Sequence, residues 1–510
     1  MLKKSLNLLM AVVMMTALLT GYAFALEKKE LIILHTNDIH GRVFPFYDKK
    51  SGTYVGGLTN LASKIQDLRR IYGEENVLLI DAGDMSQGTP VSNIFYGDPV
   101  TDYMNYVKYD CATFGNHEFD WAKAQLERQV ERRQFPMICA NLVSKDGKPL
   151  GFFKPYIVLE RAGMKIGLIG LATPTTPRMC FPKNVEDFKF LDPLECVNKY
   201  KAELNKQGVK VIGVVSHNGY DEDKEMAAKL TGIDFIIGGH SHTFVDHPSE
   251  TNGIPVCQAG CWGQKLGFAK LEIDPETGKL LSFRGSLLPV RSYDAKLHEQ
   301  LMTYEDKVRG SMSEAVGEIN ADASNQFTRD KCGTTSVGDV VTDMIKDITK
   351  SDVVFMNTHG LRASWAKGVL TRGDIFNVLP FDNNLMTYTI KGSDLAKIIE
   401  YYIDRPSFTQ VSGITCVYDA KKPFNSRVSD VKINGQPIDP AKTYKVGTID
   451  FLFAVSKDCP ELKNAKNVTY GKFLRDEVEA YLKDHKKIVV PEEIRVSAPN
   501  GKSPGERKRQ

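Results

Sequence analysis

The chain has 510 residues, of which 42% are hydrophobic and 25% charged, and its formal net charge is +3. This length predicts about two to four domains, and the apolar fraction is typical of a globular protein with a sizeable core. Because no basic stripe with interleaved aromatic residues accompanies the small net charge, we exclude a nucleic-acid polymer as partner, whereas a small anionic substrate stays open.

The first 25 residues have the pattern of a secretory signal peptide. Lys3 and Lys4 precede the apolar run 6–19, and the small residues Ala23 and Ala25 have the spacing that signal peptidase requires. We predict cleavage after Ala25, with an uncleaved anchor as the alternative, and no membrane span in the mature chain. The predicted location is therefore the periplasm or the exterior of the cell.

Nine cysteines are scattered along the chain without a Cys-x-x-Cys motif, which argues against a zinc ribbon or a thioredoxin-like site. Export makes disulfides possible, and Cys257 and Cys261 form the only close pair. The odd total leaves at least one cysteine unpaired within the chain.

The first half alternates strand-like and helix-like segments, which predicts a sheet with helices on both faces. Helices are predicted at 57–70, 121–133 and 192–207. Five hydrophobic runs, each followed by a polar turn, are predicted as strands: 31–34, 77–80, 109–114, 211–215 and 235–237. Ligands of such sheets gather outside the carboxyl ends of the strands.

The polar turns contain oxygen and nitrogen donors that suit divalent metal ions. Taken singly, these turns are weak signals, because an aspartate or asparagine at a strand end is often only a turn or helix-cap residue. Together they supply enough ligands for two ions. We predict that one ion takes Asp38, His40 and His242, that the other takes Asn116, His217 and His240, and that Asp84 bridges them.

Two cations about 3.5–4 Å apart suit the hydrolysis of a phosphate ester, because one can activate water while both neutralise charge on the phosphoryl oxygens. His117 is left outside the ligand set and is predicted to face the leaving group. Asp120, one helical turn further on, is expected to hold its tautomer and keep it protonated. Zinc, manganese, iron and cobalt all fit such donors.

The second half begins a new pattern that predicts an α+β domain. A charged helical segment, 295–316, suits a linker between domains, and a helix packed on the first domain is the alternative. The predicted organisation is a signal peptide at 1–25, a first domain at 30–292, a linker helix at 293–325, a second domain at 326–497 and a disordered tail at 498–510.

The motifs His35-Thr36-Asn37-Asp38-Ile39-His40-Gly41 and Gly115-Asn116-His117-Glu118-Phe119-Asp120 resemble those of the calcineurin-like metallophosphoesterase superfamily. They are most similar to its secreted 5′-nucleotidase branch, which includes UDP-sugar hydrolases and 2′,3′-cyclic-nucleotide phosphodiesterases. The resemblance implies an α/β fold in which a four-layer α/β-β/α domain is followed by an α+β substrate domain. It also implies an exported enzyme with two divalent metal ions that releases phosphate from nucleotides.

The resemblance further implies a nucleotide-binding site on the second domain, where the match is looser. Lys331 stands where the family has an arginine, and two glycine-rich turns of the family are missing. The implied substrate-binding residues are Lys331, Arg362, Phe381, Asn383, Phe451 and Asp458. For the two phenylalanines, the alternative is a purely structural role in the hydrophobic core. Cyclic nucleotides, nucleotide sugars or sulfur esters are alternative substrates, and a catalytically silent binding protein is the remote alternative. The sequence leaves the oligomeric state open.

Overall fold

The structure is a computed structural model that describes residues 28–48, 51–291, 293–325, 334–405, 409–456 and 458–499. The predicted signal peptide, Lys331 and most of the predicted tail lie outside these ranges. Within them, no helix combines the length and the apolar character that a bilayer crossing requires.

The first half contains two six-stranded sheets, each with four adjacent parallel strands, which lie at one side of the first sheet and at the centre of the second. The first sheet has the order Leu280–Pro289, Lys265–Ile273, Lys29–Thr36, Val77–Asp81, Cys111–Thr113 and Met137–Ile138. The second has the order Ser249–Thr251, Ile254–Cys257, Phe235–Ile237, Val211–His217, Met164–Ala172 and Tyr156–Arg161. Two short antiparallel strand pairs accompany them: Phe46–Asp48 with Thr53–Val55, and Leu142–Ser144 with Phe188–Phe190.

The two sheets pack face to face, and helices cover their outer faces. Alternate residues of a strand point to opposite faces, so Leu31 and Ile33 join a hydrophobic cluster with residues of the second sheet such as Leu168. Ile32 and Leu34 instead pack in the cluster that includes the helices of the first layer. This arrangement confirms the predicted four-layer α/β-β/α fold.

Helices of the first half connect the strands and cover the sheets. Their bounds are Leu58–Tyr72, Pro90–Ile94, Asp98–Tyr106, Lys123–Arg132, Pro182–Val185, Pro193–Lys206 and Tyr220–Ala227, with 3-10 turns at Glu74–Asn76, His117–Phe119 and Thr176–Arg178. Asp192 caps the helix Pro193–Lys206, because its carboxylate accepts a hydrogen bond from the Glu195 N–H at 2.9 Å. The helix predicted from 121 begins two residues later, after the turn His117–Phe119.

The segment between the two halves forms the helix Ala295–Met312 and the strand Ala315–Ile319. Buried Leu297 and Leu301 of the helix belong to the hydrophobic cluster of the first half. The strand pairs with Gly368–Thr371 of the second half. The helix therefore packs on the first half, ends earlier than its sequence pattern predicts, and leads directly into a strand of the second half.

The second half is α+β, as predicted. Its five-stranded sheet has the order Thr409–Ser412, Val353–Asn357, Thr443–Ile449, Asn384–Lys391 and Lys466–Phe473. The smaller sheets comprise Gly368–Thr371, Ala315–Ile319 and Lys487–Ile488, and Gln436–Pro437, Val428–Ile433, Ile414–Tyr418 and Val496–Ser497. The helices are Ser336–Thr349, Arg372–Val378, Gly392–Ile403, Asp450–Val455 and Leu474–His485, with 3-10 turns at Thr358–Gly360 and Pro460–Asn464.

One helix boundary of the second half differs from the sequence prediction. The helical pattern extends from Gly471 to His485, but Gly471 belongs to the strand Lys466–Phe473, which pairs with Asn384–Lys391. The pairing of this strand overrides the local pattern, and the helix starts only at Leu474.

All eight cysteines in the described ranges are buried free thiols. The possible disulfide between Cys257 and Cys261 is therefore not formed. Burial raises the pKa of the Cys257 thiol above its usual range, which disfavours the reactive thiolate.

His35 makes the first domain sensitive to acid. Its buried ring lies against Gly267 of the neighbouring strand, where an added Cβ atom would come within 2.1 Å of the imidazole. Burial lowers the pKa of His35 to about 4, so the folded state binds fewer protons than the unfolded state below the ordinary histidine pKa of about 6.5. We expect the free energy of unfolding to fall by roughly 3 kcal/mol between pH 6.5 and 4 through this group.

Denaturant titrations of the parent and of His35→Gln across this pH range measure the effect. The variant should be less stable at pH 7 and should lose less stability on acidification. An equal pH dependence in both proteins would contradict this assignment.

Candidate active site

The five polar turns meet at one edge of the two packed sheets. The parallel strands ending at Thr36, Asp81, Thr113, His217 and Ile237 have their carboxyl ends at this edge. The hydrogen bonds Asp38 N–H to the Gly83 carbonyl (2.9 Å) and His40 N–H to the Asp84 carbonyl (3.0 Å) tie the first two turns together. The topology thus collects donors that are distant in sequence.

The backbone of these turns is bent into the left-handed region. Five donor residues have a positive φ angle, although non-glycine residues rarely do: Asp38 (52°), His40 (51°), Asp84 (56°), His240 (76°) and His242 (55°). The turns also pack closely, because a Cβ atom at Gly115 would lie 2.2 Å from Asp84 Oδ1. Such strain is held by the surrounding structure and is common at functional sites.

Asp38, His40 and His242 form the first group of donors with metal-ligand spacing. The Nε2 atoms of His40 and His242 are 3.0 Å apart, and Asp38 Oδ1 lies 3.3 Å from His242 Nε2. The other carboxylate oxygen, Oδ2, accepts hydrogen bonds from Asn37 Nδ2 (2.6 Å) and the His240 N–H (2.9 Å). One oxygen of Asp38 is thus fixed by the protein while the other faces the histidines.

Asp84, His217 and His240 form the second group. Asp84 Oδ2 lies 3.1 Å from His217 Nε2 and 3.7 Å from His40 Nε2, so this oxygen faces both groups. Asp84 Oδ1 accepts a hydrogen bond from the His117 N–H at 2.8 Å. Nearby Asn116 is buried, and its Oδ1 has no hydrogen-bond partner within the described structure.

Backbone carbonyls fix the orientation of two of the imidazoles. His40 Nδ1 lies 3.0 Å from the Gln87 carbonyl oxygen, and His217 Nδ1 lies 2.6 Å from that of Ala82. Each contact favours the tautomer with the proton on Nδ1, which leaves Nε2 as a free lone pair. His217 Nε2 is buried without a hydrogen-bond partner among the described atoms.

The electrostatics of the site fit a pair of cations. Burial lowers the pKa of His217, but Asp84, Asp38 and the Ala82 carbonyl together raise it by more, and the net pKa is about 10. The same carboxylate charge that would hold a proton here favours a divalent cation in its place. The orphaned Asn116 Oδ1 and His217 Nε2 are then satisfied as ligands, so the donor set fits two divalent ions of the zinc or manganese type.

His117 and Asp120 form a partly buried pair next to these donors. His117 Nδ1 is 2.6 Å from Asp120 Oδ2, and the His117 ring centroid is 5.1 Å from that of His40. Burial lowers the pKa of His117, but Asp120 and Asp84 raise it by more, so its net pKa is raised. The protonated imidazole is therefore favoured, as a general acid requires.

The second half contributes two predicted residues to the surroundings of these donors. The Phe381 ring stacks on His117 with centroids 5.7 Å apart and planes at 26°, and Asn93 Nδ2 donates to the Pro380 carbonyl at 2.9 Å across the domain boundary. Arg362 lies near the carboxylates of Asp84 and Asp120, although burial lowers its pKa. A guanidinium and an aromatic ring thus border the donor cluster.

The other predicted substrate residues have different surroundings. Phe451 packs partly against the core of the second half, and the backbone carbonyl of half-buried Asn383 accepts a hydrogen bond from the Leu474 N–H. Asp458 forms an ion pair with Arg405 at 2.6 Å and a hydrogen bond with Tyr401, so its carboxylate is already engaged. Lys331 lies outside the described residues. The substrate roles of these four residues stay predictions.

Three supporting residues were missed by the sequence reasoning. Glu118 is buried and accepts hydrogen bonds from the backbone N–H groups of Asp84 (2.9 Å), Met85 (2.8 Å) and Gly115 (2.7 Å). The Cys180 thiol donates to the Asn116 carbonyl (2.8 Å), and Asn184 Nδ2 donates to that of Asp120 (2.8 Å). Only Glu118 has a local sequence signal, because it lies within the motif 115–120. A glutamate at that position also fits a helix N-terminus.

Glu118→Gln is expected to weaken metal binding without touching a ligand. One carboxylate oxygen of Glu118 accepts two backbone N–H groups and the other accepts one, whereas a glutamine must present an NH₂ group to at least one donor. The two turns that carry Asp84 and Asn116 should loosen. We expect metal affinity to fall by about 10–100-fold, as measured by competition with a metal-binding dye. The exposed Glu250→Gln is the matched control, and unchanged affinity in Glu118→Gln would contradict the role.

Comparison with known proteins agrees with this geometry. Residues 31–244 match the family model of the calcineurin-like phosphoesterases, and residues 315–460 match that of the 5′-nucleotidase C-terminal domain. These two segments contain all the donors and the bordering residues Arg362 and Phe381.

Similar proteins extend over most of the chain. Endonuclease YhcR of Bacillus subtilis is 30% identical over 461 residues, which cover 84% of this chain but 37% of that longer protein. Protein UshA of Yersinia enterocolitica is 28% identical over 91% of this chain and 93% of its own length.

A crystal structure of a 5′-nucleotidase precursor from Thermus thermophilus superimposes with a TM-score of 0.84 at 30% identity, covering 92% of this chain and 99% of that one. The chain thus belongs to the calcineurin-like metallophosphoesterases and, among them, to the 5′-nucleotidase family of metal-dependent phosphoric ester hydrolases.

Proposed function

We propose that the protein is an exported phosphohydrolase that uses two divalent metal ions to release phosphate from nucleotides. The observation that carries the proposal is the convergence of seven donor side chains, two of which present buried lone pairs without a partner among the described atoms. Bound at these donors, two divalent ions would supply an activated water and neutralise charge on the phosphoryl group.

The ligand assignment follows from which atoms face one another. Asp38, His40 and His242 would hold one ion, and Asn116, His217 and His240 the other, with Asp84 Oδ2 between them. The hydrogen bonds to Asp38 Oδ2 and Asp84 Oδ1 fix both carboxylates before any ion binds. This preorganisation supports tight binding, because little side-chain freedom remains to be lost.

His117 would protonate the departing alcohol. Its Nδ1 is hydrogen-bonded to Asp120, so the proton available for transfer is on Nε2. Arg362 would bind the phosphate from the side of the second domain, and Phe381 would contact the nucleoside. The fixed pair His117–Asp120 supports acid catalysis rather than metal ligation for this histidine.

The substrate class and the location complete the proposal. A 5′-nucleotidase is among the similar structures, which supports nucleoside monophosphates as substrates. The 2′,3′-cyclic nucleotides and nucleotide sugars are the alternatives at the same metal site. The pattern of Lys3, the apolar run and Ala25 supports export with cleavage after Ala25, and the domain boundaries at 30–292 and 326–497 remain part of the proposal.

A substrate panel tests the proposal. Protein purified without chelator is analysed for metal, and phosphate release is then measured from nucleoside monophosphates, cyclic nucleotides and a nucleotide sugar with zinc, manganese or cobalt added. We expect two ions per chain and the fastest release from monophosphates. No hydrolysis of any ester with any of these metals would refute the proposal.

A further inference from the structure

Residues 258–262 form a supporting segment beside the metal donors, although none of the seven predicted donors lies in it. Its first residue, Gln258, is fully buried, and its side-chain amide contacts the turn that carries two of the donor histidines. The Gln258 Nε2 atom donates a hydrogen bond to the Gly239 carbonyl at 2.7 Å. Its Oε1 atom accepts hydrogen bonds from the Thr243 N–H and, at 3.0 Å, from the Ser241 hydroxyl. One amide therefore holds the beginning, the middle and the end of this turn.

This turn carries one predicted ligand for each ion, His240 for one and His242 for the other. Both residues have positive φ angles, 76° and 55°, which non-glycine residues rarely adopt without support from the surrounding structure. The turn also lies close to the other donors. The His240 N–H donates to Asp38 Oδ2 at 2.9 Å, and a Cβ atom at Gly239 would lie 2.8 Å from His217 Nδ1. A small change in the turn would therefore move ligands of both ions at once.

A second buried amide, that of Asn37, connects the supporting segment to Asp38. Asn37 Nδ2 donates hydrogen bonds to Asp38 Oδ2 and to the Gly260 carbonyl, both at 2.6 Å. Asn37 Oδ1 accepts a hydrogen bond from the Ala259 N–H at 2.8 Å. In addition, the Trp262 N–H donates to the Asp38 carbonyl at 2.7 Å. The supporting segment thus binds both the Asp38 turn and the histidine turn, so hydrogen bonds of the protein itself fix the separation of the two turns.

We propose that Gln258 is a positioning residue that sets the spacing of the two metal ions, with Asn37 as its counterpart at the Asp38 turn. The inference rests on the proposed function and deepens it, because the spacing of the ions decides whether both can contact one phosphoryl group. Glutamine suits this position because its amide supplies a donor and an acceptor at once. A carboxylate has no proton for the Gly239 carbonyl, and an aliphatic side chain would lose all three hydrogen bonds.

Gln258→Met keeps the length of the side chain without its amide and tests the inference on the full chain titrated with Mn²⁺. We expect the affinity for Mn²⁺ to fall by about 10–100-fold. With two equivalents of Mn²⁺, electron paramagnetic resonance should show less of the coupled-pair spectrum and more of the single-ion spectrum than in the parent. Gln129→Met is the matched control, because the buried Gln129 amide also forms hydrogen bonds with three residues, none of them a predicted metal ligand. It should bind Mn²⁺ as the parent does, even where its stability falls.

Ser241→Ala is a milder second variant, because it removes one of the three hydrogen bonds to Gln258. Its affinity for Mn²⁺ should fall by about fivefold, and this result decides if Gln258→Met fails to fold. Parent-like affinity and spectrum in Gln258→Met would overturn the inference, and so would an equal loss in Gln129→Met, which would indicate a general loosening of the fold. A parent that binds fewer than two ions would refute the proposed function and this inference with it. A parent that binds two ions beside an unchanged Gln258→Met would refute this inference alone.

Discussion

Replacing His117 with alanine is expected to slow the hydrolysis of nucleoside monophosphates by about 10²–10⁴-fold in kcat. A nucleoside is a poor leaving group as an alkoxide unless it receives a proton. His117 is the partly buried imidazole that Asp120 orients and keeps protonated. The same variant should lose much less activity on an aryl phosphate with an acidic phenol, because that leaving group needs no proton. Steady-state kinetics with both substrates measure the difference.

The pH dependence gives a second readout of the same role. Burial lowers the pKa of His117, and Asp120 and Asp84 raise it above its ordinary value. Removal of the Asp120 charge should lower this pKa, so Asp120→Asn should lose the protonated acid, and hence kcat, at a lower pH than the parent does. The exposed His247→Ala is the control and should be unaffected. Equal losses of His117→Ala on both substrates would argue against general-acid catalysis.

The donor residues are predictable from sequence because each turn carries a local signal. Asp38 and His40 are two residues apart after a strand, and a strand places residues with that spacing on one side. The hydrophobic runs before the turns predict parallel strands, whose carboxyl ends share one edge. The four-layer fold follows from the same alternation together with the family resemblance. The comparisons confirm the fold and the family.

The supporting contacts are not predictable in this way, because each joins segments that are distant in sequence and involves backbone atoms. The carbonyls of Ala82 and Gln87, which orient His217 and His40, belong to residues whose side chains carry no signal. Asp458 shows the converse: the family resemblance implies a substrate ligand, but Arg405 and Tyr401 hold its carboxylate.

Asp84 is the residue that connects the two donor groups. Its Oδ2 faces His217 Nε2 at 3.1 Å and His40 Nε2 at 3.7 Å, whereas its Oδ1 accepts the His117 N–H. Asp84 is buried, and nearby positive charges outweigh the effect of burial, so its pKa is lowered well below the ordinary aspartate value. In the proposed function, a carboxylate in this position would help to hold both cations.

Asp84→Asn is therefore expected to abolish the second metal site and reduce kcat by at least about 10³-fold. The amide keeps the size of the side chain, but it removes the shared negative charge and replaces one oxygen with a donor that repels cations. Metal analysis should find at most one tightly bound ion per chain. Added metal should also raise the free energy of unfolding by less than it does in the parent. The exposed Asp306→Asn makes the same charge change and should bind two ions with normal activity. If Asp84→Asn also binds two ions with parent affinity, Asp84 is not the bridge, and the pairing of the donor groups must be reassigned.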